Sequence, residues 1–411
     1  MFKKTALPIL IALLLFSGLS RATAGAGVNC ESKNSASFTL TAVGDIMMHD
    51  EQIESAFRGD SSYDFSQYFA HLRQRLSHAD VTLANMEAPV VPYRPYEGFP
   101  HFNSPPQLLE EMAKAGIDIA SVCNNHSLDQ NIDGAKETLE QLRSAGITPL
   151  GMYDDESLYF DPLIREINGV KVAFLAYTEH VNGREKHFKK EDLKRLIKIF
   201  NKDEAAFDIF SAKRAGADVV VVMMHWGKEY EDDPSPAVMK LAEELAITGA
   251  DIIIGSHPHV VQTCEIKTVT RADGLEHDVF IAYSLGNFIS NQTLAPRQYG
   301  VIVDLEVEYD FALKKLSFKE AAYTPTYVWK RPNTSHRGAY DFSVLACGDY
   351  TSLSPHPAGE VSEAYLRYIN RAHSHICAQM AENIPLFDYY RRAEMGDIKK
   401  PAVPLGEGRL K

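Results

Sequence analysis

The sequence predicts a layered α/β fold, two packed sheets flanked by helices, and three observations carry that prediction. One local unit recurs four times: an amphipathic helix, a Gly or small residue, an Asp, an apolar β-branched run, and a polar cluster. Its copies are 79–84 before Asn85-Met86-Glu87, 116–123 before Asn124-Asn125-His126, 216–224 before His225-Trp226, and 249–254 before Gly255-Ser256-His257-Pro258-His259. The Val- and Ile-rich runs are short, bounded by turn residues and separated by helical patterns over 107–115, 132–145 and 236–248, as buried strands of such a fold should be. Finally, Asn168-Gly169 stands between the runs 163–167 and 170–177 as a hairpin turn pair, which makes the sheets mixed. No Gly-x-Gly-x-x-Gly follows a strand, which argues against a dinucleotide-binding fold.

Taken in chain order, the elements begin with Phe2-Lys3-Lys4 and an apolar run over 6–19 that stops at Ala22-Thr23-Ala24. That layout is a signal peptide cut after Ala24, and it places the mature protein outside the cytoplasm, secreted or periplasmic. The run is shorter than the roughly 20 apolar residues that span a bilayer, which favours cleavage over the alternative of an uncleaved membrane anchor. A strand over 37–43 then alternates and ends in Gly44-Asp45-Ile46-Met47-Met48-His49. The repeated units follow. From about residue 309 the pattern changes to strands over 301–309 and 316–323, a loop-rich stretch over 332–355, an amphipathic helix over 360–380, and a tail after Met395 rich in Pro, Gly and charge. The expected organisation is a leader over 1–24, a main domain over 37–308 and a C-terminal extension over 309–411.

The chain carries 42 Lys and Arg against 55 Asp and Glu, a formal charge of −13, and losing Lys3, Lys4 and Arg21 with the leader takes it to −16. Nucleic-acid binding needs clustered cations to displace counterions, and none are present. A polyanionic substrate would therefore have to be held by a local positive charge, which a bound metal ion supplies. The five cysteines show no zinc-motif spacing. Export permits disulfides, and Cys347 with Cys377, both in the C-terminal part, is the expected pair, leaving Cys30, Cys123 and Cys264.

Ligands of open α/β sheets collect beyond the carboxyl ends of the strands, where each polar cluster lies. Asp45, His49, Glu87, Asn125, His126, His225, His257 and His259 together form a carboxylate, amide and imidazole set suited to Zn, Mn or Fe. Individually, Asp45 is either a ligand or a helix cap, and Asn124-Asn125 either a ligand pair or a turn. His257-Pro258-His259 reads as a metal pair, because Pro holds the chain extended and alternate residues of an extended chain face one side. His49 is the loosest member, since a helix or loop can carry it elsewhere.

The order Gly44-Asp45, Asn85-Met86-Glu87-Ala88-Pro89, Asn124-Asn125-His126-Ser127-Leu128-Asp129, His225-Trp226-Gly227-Lys228-Glu229-Tyr230, Gly255-Ser256-His257-Pro258-His259-Val260-Val261-Gln262 and Ser284-Leu285-Gly286-Asn287-Phe288 resembles the CapA family of poly-γ-glutamate capsule-synthesis proteins over about residues 37–289. That family resembles in turn the calcineurin-like metallophosphoesterases. The resemblance implies a four-layer double β-sandwich flanked by helices, with one or two divalent ions held by Asp45, Glu87 and His259 and by Asn125, His225 and His257. It gives His126 the place of a catalytic proton-transfer group, oriented by Asp129, and lets Glu229, Tyr230 and Asn287 line the pocket. The phosphoesterase pattern is not kept throughout: His49 comes two places late for Asp-x-His, Glu87 is the acid nearest the place of the bridging aspartate, and Ser256 is inserted after Gly255. Two functions are implied. One is hydrolysis or transfer on an exported phosphoester or γ-glutamyl amide; the other is a surface subunit serving poly-γ-glutamate assembly without turnover. The implied partners are an acidic polymer or small-molecule substrate and a membrane capsule-synthesis complex.

Overall fold

The computed structural model describes residues 34–333, 338–350, 361–380 and 384–387. The expected leader, Cys30 and the tail after Met395 lie outside these residues. In chain order the first strands are β1 (Ser35–Ile46), a short pair β2 (Phe57–Gly59) and β3 (Ser62–Tyr63), β4 (Val81–Met86), β5 (Ile119–Ser121), β6 (Thr148–Leu150), β7 (Leu163–Ile167) and β8 (Val170–Thr178). The rest are β9 (Val219–His225), β10 (Ile252–Ser256), β11 (Cys264–Thr270), β12 (Glu276–Ala282), β13 (Asn287–Ile289), β14 (Tyr299–Asp310), β15 (Lys315–Pro332) and β16 (Tyr340–Ala346).

Two mixed sheets hold nearly all of them. The first runs β16-β15-β14-β1-β4-β5-β6, with β13 also beside β1, and the second runs β11-β12-β10-β9-β8-β7. Each repeated unit supplies a parallel strand: β4 and β5 in the first sheet, β9 and β10 in the second. The Asn168-Gly169 turn forms as expected, joining β7 and β8 antiparallel with both residues at positive φ.

The Asp of each unit has a physical task. Asp80, Asp118, Asp218 and Asp251 each stand one residue before their strand and accept the backbone N–H of Thr39, Thr82, Lys171 and Val220 respectively, at 2.8–2.9 Å. Each of those N–H groups belongs to the neighbouring parallel strand, so the carboxylate satisfies a donor at the sheet's edge and sets the register.

Alternation along the second sheet shows how the layers stack. Val219, Val221 and Met223 of β9 and Ile252 and Ile254 of β10 join the core shared with the first sheet. Val220, Val222, Met224 and Ile253 face a second core built with the helices Lys202–Arg214 and Pro236–Thr248. Helices Gln107–Ala115, Asn131–Ser144 and Glu363–Gln379 pack on the first sheet. The result is the expected pair of sheets flanked by helices. Among the described residues, no helix is long and apolar enough to cross a membrane.

The sheets are joined where the chain leaves β12 and enters β13. There the Gly286 carbonyl accepts the Asp45 N–H at 2.9 Å, and a Cβ on Gly44 would lie 1.9 Å from the same oxygen. Only glycine permits that approach, which fixes Asp45 beside the crossing.

The region after residue 308 is continuous with the first sheet: β14 runs on to Asp310 and pairs with β15, which pairs with β16. Cys347 and Cys377 do not form the expected disulfide. Both are free thiols, with Cys347 buried and the Cys377 Sγ turned toward His373 Nδ1, 3.7 Å away and one turn earlier on its own helix.

A stability prediction arises at Asp251. Its carboxylate is buried and receives Lys213 at 2.9 Å, Arg271 at 2.8 Å and the Val220 N–H. Burial acts to raise this carboxyl, but the two cations outweigh it and hold the group below the ordinary 3.8. A carboxyl depressed on folding stabilises above its unfolded pKa, and that contribution is lost as pH falls through the folded value, here below about pH 4. Asp251→Asn should cost about 3 kcal/mol in urea unfolding at pH 7, because it leaves buried donors unpaired while the partly exposed Lys213 recovers some solvation. The variant should also lose less stability than wild type on acidification below pH 4.

Candidate metal centre

The carboxyl ends of β1, β4, β9 and β10 converge at the junction of the two sheets. Asp45 lies opposite Asn85 in register, the Glu87 N–H donates to Ile46 O at 3.0 Å, and His225 lies opposite Ser256. Asp45, Glu87, His225, His257 and His259 are all buried, and they form two ligand-competent groups. One group is Glu87, His257 and His259; the other is Asp45, Glu87 and His225. Glu87 belongs to both.

Local hydrogen bonds aim the lone pairs inward. Asn85 Nδ2 donates to Asp45 Oδ1 at 2.8 Å and to Glu87 Oε2 at 3.0 Å, so one amide orients both carboxylates. Ser256 Oγ, itself directed at the Met224 carbonyl, lies 2.9 Å from His225 Nδ1 and holds the ring in place. His225 Nε2 faces the centre, 3.0 Å from Asn125 Oδ1 and 3.5 Å from Glu87 Oε1. His259 bridges the carboxylates, with Nδ1 3.0 Å from Asp45 Oδ2 and Nε2 3.6 Å from Glu87 Oε1. Glu87 Oε1 and His257 Nδ1 are buried with no hydrogen-bond partner among the described residues.

These are the features of a cation site. Burial first and the Asp45 charge second raise the Glu87 carboxyl well above its ordinary range. Burial and the neighbouring imidazoles hold His225 well below the ordinary value, and His257 down to about 3, so the imidazoles are neutral and able to ligate. Convergent buried acceptors, two of them without a hydrogen-bond partner among the described residues, fit a divalent ion.

His126 stands next to the centre but outside both groups. Its Nδ1–H donates to Asp129 Oδ2 at 2.7 Å, which fixes the orientation of the ring. The Phe102 N–H donates to the same Asp129 oxygen at 3.0 Å, and the Phe102 ring meets His126 edge-on at 4.7 Å. The loop carrying Phe102 thus locks the pair.

The remaining candidates fall into place as follows. Asn125 points its Oδ1 into the His225 group. Asn287, opposite Asp45 across β1, donates to His259 O at 3.3 Å and to Arg297 O at 2.9 Å, acting as a brace. Glu229, half-buried at the rim, is close enough to act on the Glu87 charge. His49 belongs to neither ligand group. It starts the helix Asp50–Ala56, its N–H donates to Gln52 Oε1, its Nδ1 accepts the Asn291 N–H at 3.3 Å, and burial holds it down to about 4.

The expectation of an extended His257-Pro258-His259 segment is corrected: His257 and His259 have φ of 98° and 57°, both left-handed. The two rings stand 6.0 Å apart because the backbone is tightly bent, a strained conformation that non-glycine residues seldom adopt away from functional sites. Sequence reasoning missed Asn85 and Ser256 as orienting groups and Phe102 as a support. Asn85 and Ser256 stand inside the Asn85-Met86-Glu87 and Gly255-Ser256-His257-Pro258-His259 clusters, whereas Phe102 lies in a loop with no recognisable pattern.

A family profile described as bacterial capsule synthesis protein PGA_cap matches residues 39–292, more than half of the chain. The chain belongs to this family. Among similar PGA_cap relatives, the capsule biosynthesis protein CapA of Bacillus anthracis is 29% identical over 291 residues, which cover 69% of this chain and 67% of that protein. The PGA biosynthesis protein CapA of Bacillus subtilis (strain 168) is 29% identical over 257 residues, covering 61% and 62% respectively. The chain thus spans about two thirds of the length of these relatives. Among solved structures, the chain is similar to the calcineurin-like phosphoesterase YfkN from Bacillus subtilis at 16% identity and a TM-score of 0.40, covering 82% of this chain and 99% of that one. All the residues of the centre in this PGA_cap chain lie inside the matched segment.

Proposed function

We propose that this PGA_cap chain is an exported, metal-dependent hydrolase or transferase acting on an acidic substrate in capsule synthesis, with a phosphoester or a γ-glutamyl amide as the bond attacked. The observation that carries the reading is Glu87, a buried carboxylate shared by two ligand-competent groups, set beside the His126–Asp129 pair. Asp45, Glu87 and His259 with Asn125, His225 and His257 would hold one or two divalent ions of Mn, Zn or Fe. Such ions polarise a substrate oxygen and bring a bound water's pKa near neutrality. The chain's own groups do the rest. Asn85 holds the two carboxylates in place, Ser256 positions the His225 ring, and the burial of the ligand set excludes bulk water. His126, held by Asp129, delivers a proton to the leaving group from Nε2. Export is proposed from the leader-like residues 1–24.

Turnover of phosphomonoesters, phosphodiesters and γ-glutamyl peptides, measured with added Mn or Zn and again after chelation, tests this. Chelator-sensitive turnover of one class is the expected result. If metal-loaded protein turns over none of them, the accessory role in capsule assembly, within a membrane complex, becomes the better account.

A further inference from the structure

Beside the centre, Arg297 lies over the Tyr230 ring with its Cζ 3.4 Å from the ring centroid, and that ring is 6.0 Å from the His259 ring. The two distances put the guanidinium within about 10 Å of the His259 ring. Both partners are tied to the centre through their backbones. The Tyr230 N–H donates to Pro258 O at 2.8 Å, inside the His257-Pro258-His259 bend, and Tyr230 has the left-handed φ of 68° that this position imposes. Arg297 O accepts from Asn287 Nδ2, the same amide that donates to His259 O. The stack is therefore held at a set distance from the centre by two independent tethers.

The guanidinium also has its donors to spare. On nearby segments Lys228 is paired with Glu231 and Lys330 with Glu51, while Arg184 is directed at the carbonyls of Leu128 and Asp129. The Arg297 side chain has neither an acid nor a carbonyl partner among the described residues, and the Tyr230 ring occupies only its face. Five coplanar N–H groups remain along the edge, the geometry that matches a pair of anionic oxygens. A chain of formal charge −13 repels anions at long range, so a local fixed cation has a clear use. Arg297 lies beyond residue 292, where the family match ends.

We propose that Arg297, platformed on Tyr230, is an anion subsite at the mouth of the centre, which receives a carboxylate or phosphate of the substrate flanking the group under attack. This rests on the functional reading above and deepens it. The planar fork binds two oxygens side by side, and stacking on Tyr230 removes part of the rotamer entropy that an exposed Arg would lose on binding.

The test is equilibrium binding to the metal-loaded protein of fluorescein-labelled oligo-γ-glutamate, of phenyl phosphate by competition, and of neutral oligo-γ-glutamine. Arg297→Gln should weaken at least one anionic probe tenfold or more, and the probe that suffers identifies the natural group. Arg297→Lys should restore only part of that loss, because an ammonium keeps the charge without the fork. Binding of the neutral probe should not change. The proposal is overturned if wild type binds neither anion, if Arg297→Gln binds both as wild type does, or if the neutral probe weakens equally. Metal content measured on the same samples separates the two readings: wild type without metal sinks the functional reading, whereas unchanged anion binding in a metal-loaded Arg297→Gln variant sinks this one alone.

Discussion

His126→Gln is expected to retain bound metal near the wild-type level and to lose roughly 10²–10⁴-fold in turnover, the range typical of a positioned acid–base group. Gln preserves approximate size and polarity but cannot carry the proton. The His126 Nδ1 is committed to Asp129 at 2.7 Å, and His126 is absent from both ligand groups, so its loss removes proton transfer and leaves the ligands intact. Loss of metal in parallel with rate would make His126 a ligand, and an unchanged rate would remove it from the chemistry.

Glu87→Gln is expected to abolish most metal binding. The exchange is nearly isosteric, yet it replaces the carboxylate common to both groups with an amide, so the loss of affinity should exceed the roughly 10–100-fold that follows removal of a residue merely supporting a ligand. Ligand linkage extends the prediction to stability: chelation should lower the melting temperature of wild type and leave that of the variant unchanged. With chelator present the variant should melt no lower than wild type, because Gln relieves the burial of two neighbouring carboxyl groups. Thermal scans with and without chelator, paired with metal analysis, check both halves. A variant that keeps its metal would show that Glu87 is not the shared ligand.

Much of the architecture was legible because parallel strands buried on both faces write continuous apolar runs. The helices over 107–115 and 236–248 match their expected limits, and the Asn168-Gly169 turn forms the hairpin it specifies. The repeated Asp was recognised as a pattern, but its bond to the adjacent strand needs the sheet order, which a local reading does not contain. The repeated unit implies a helix before Gly216 without giving its limits, and the exposed Phe207 and Phe210 of Lys202–Arg214 explain why, since they blur the apolar stripe. At the centre, the identities of the clustered residues could be read because strand ends collect ligands. The route that brings them together could not: nothing in the local sequence announces the left-handed bend at His257 and His259, where the expected conformation was extended.

The most direct measurement is the metal content of the purified wild-type chain, by elemental mass spectrometry after dialysis against metal-free buffer, with Glu87→Gln alongside. One to two equivalents of Mn, Zn or Fe per wild-type chain, and far less in the variant, is the predicted result. A wild-type chain that holds no divalent metal, even after incubation with Mn and Zn, would contradict the account at its centre.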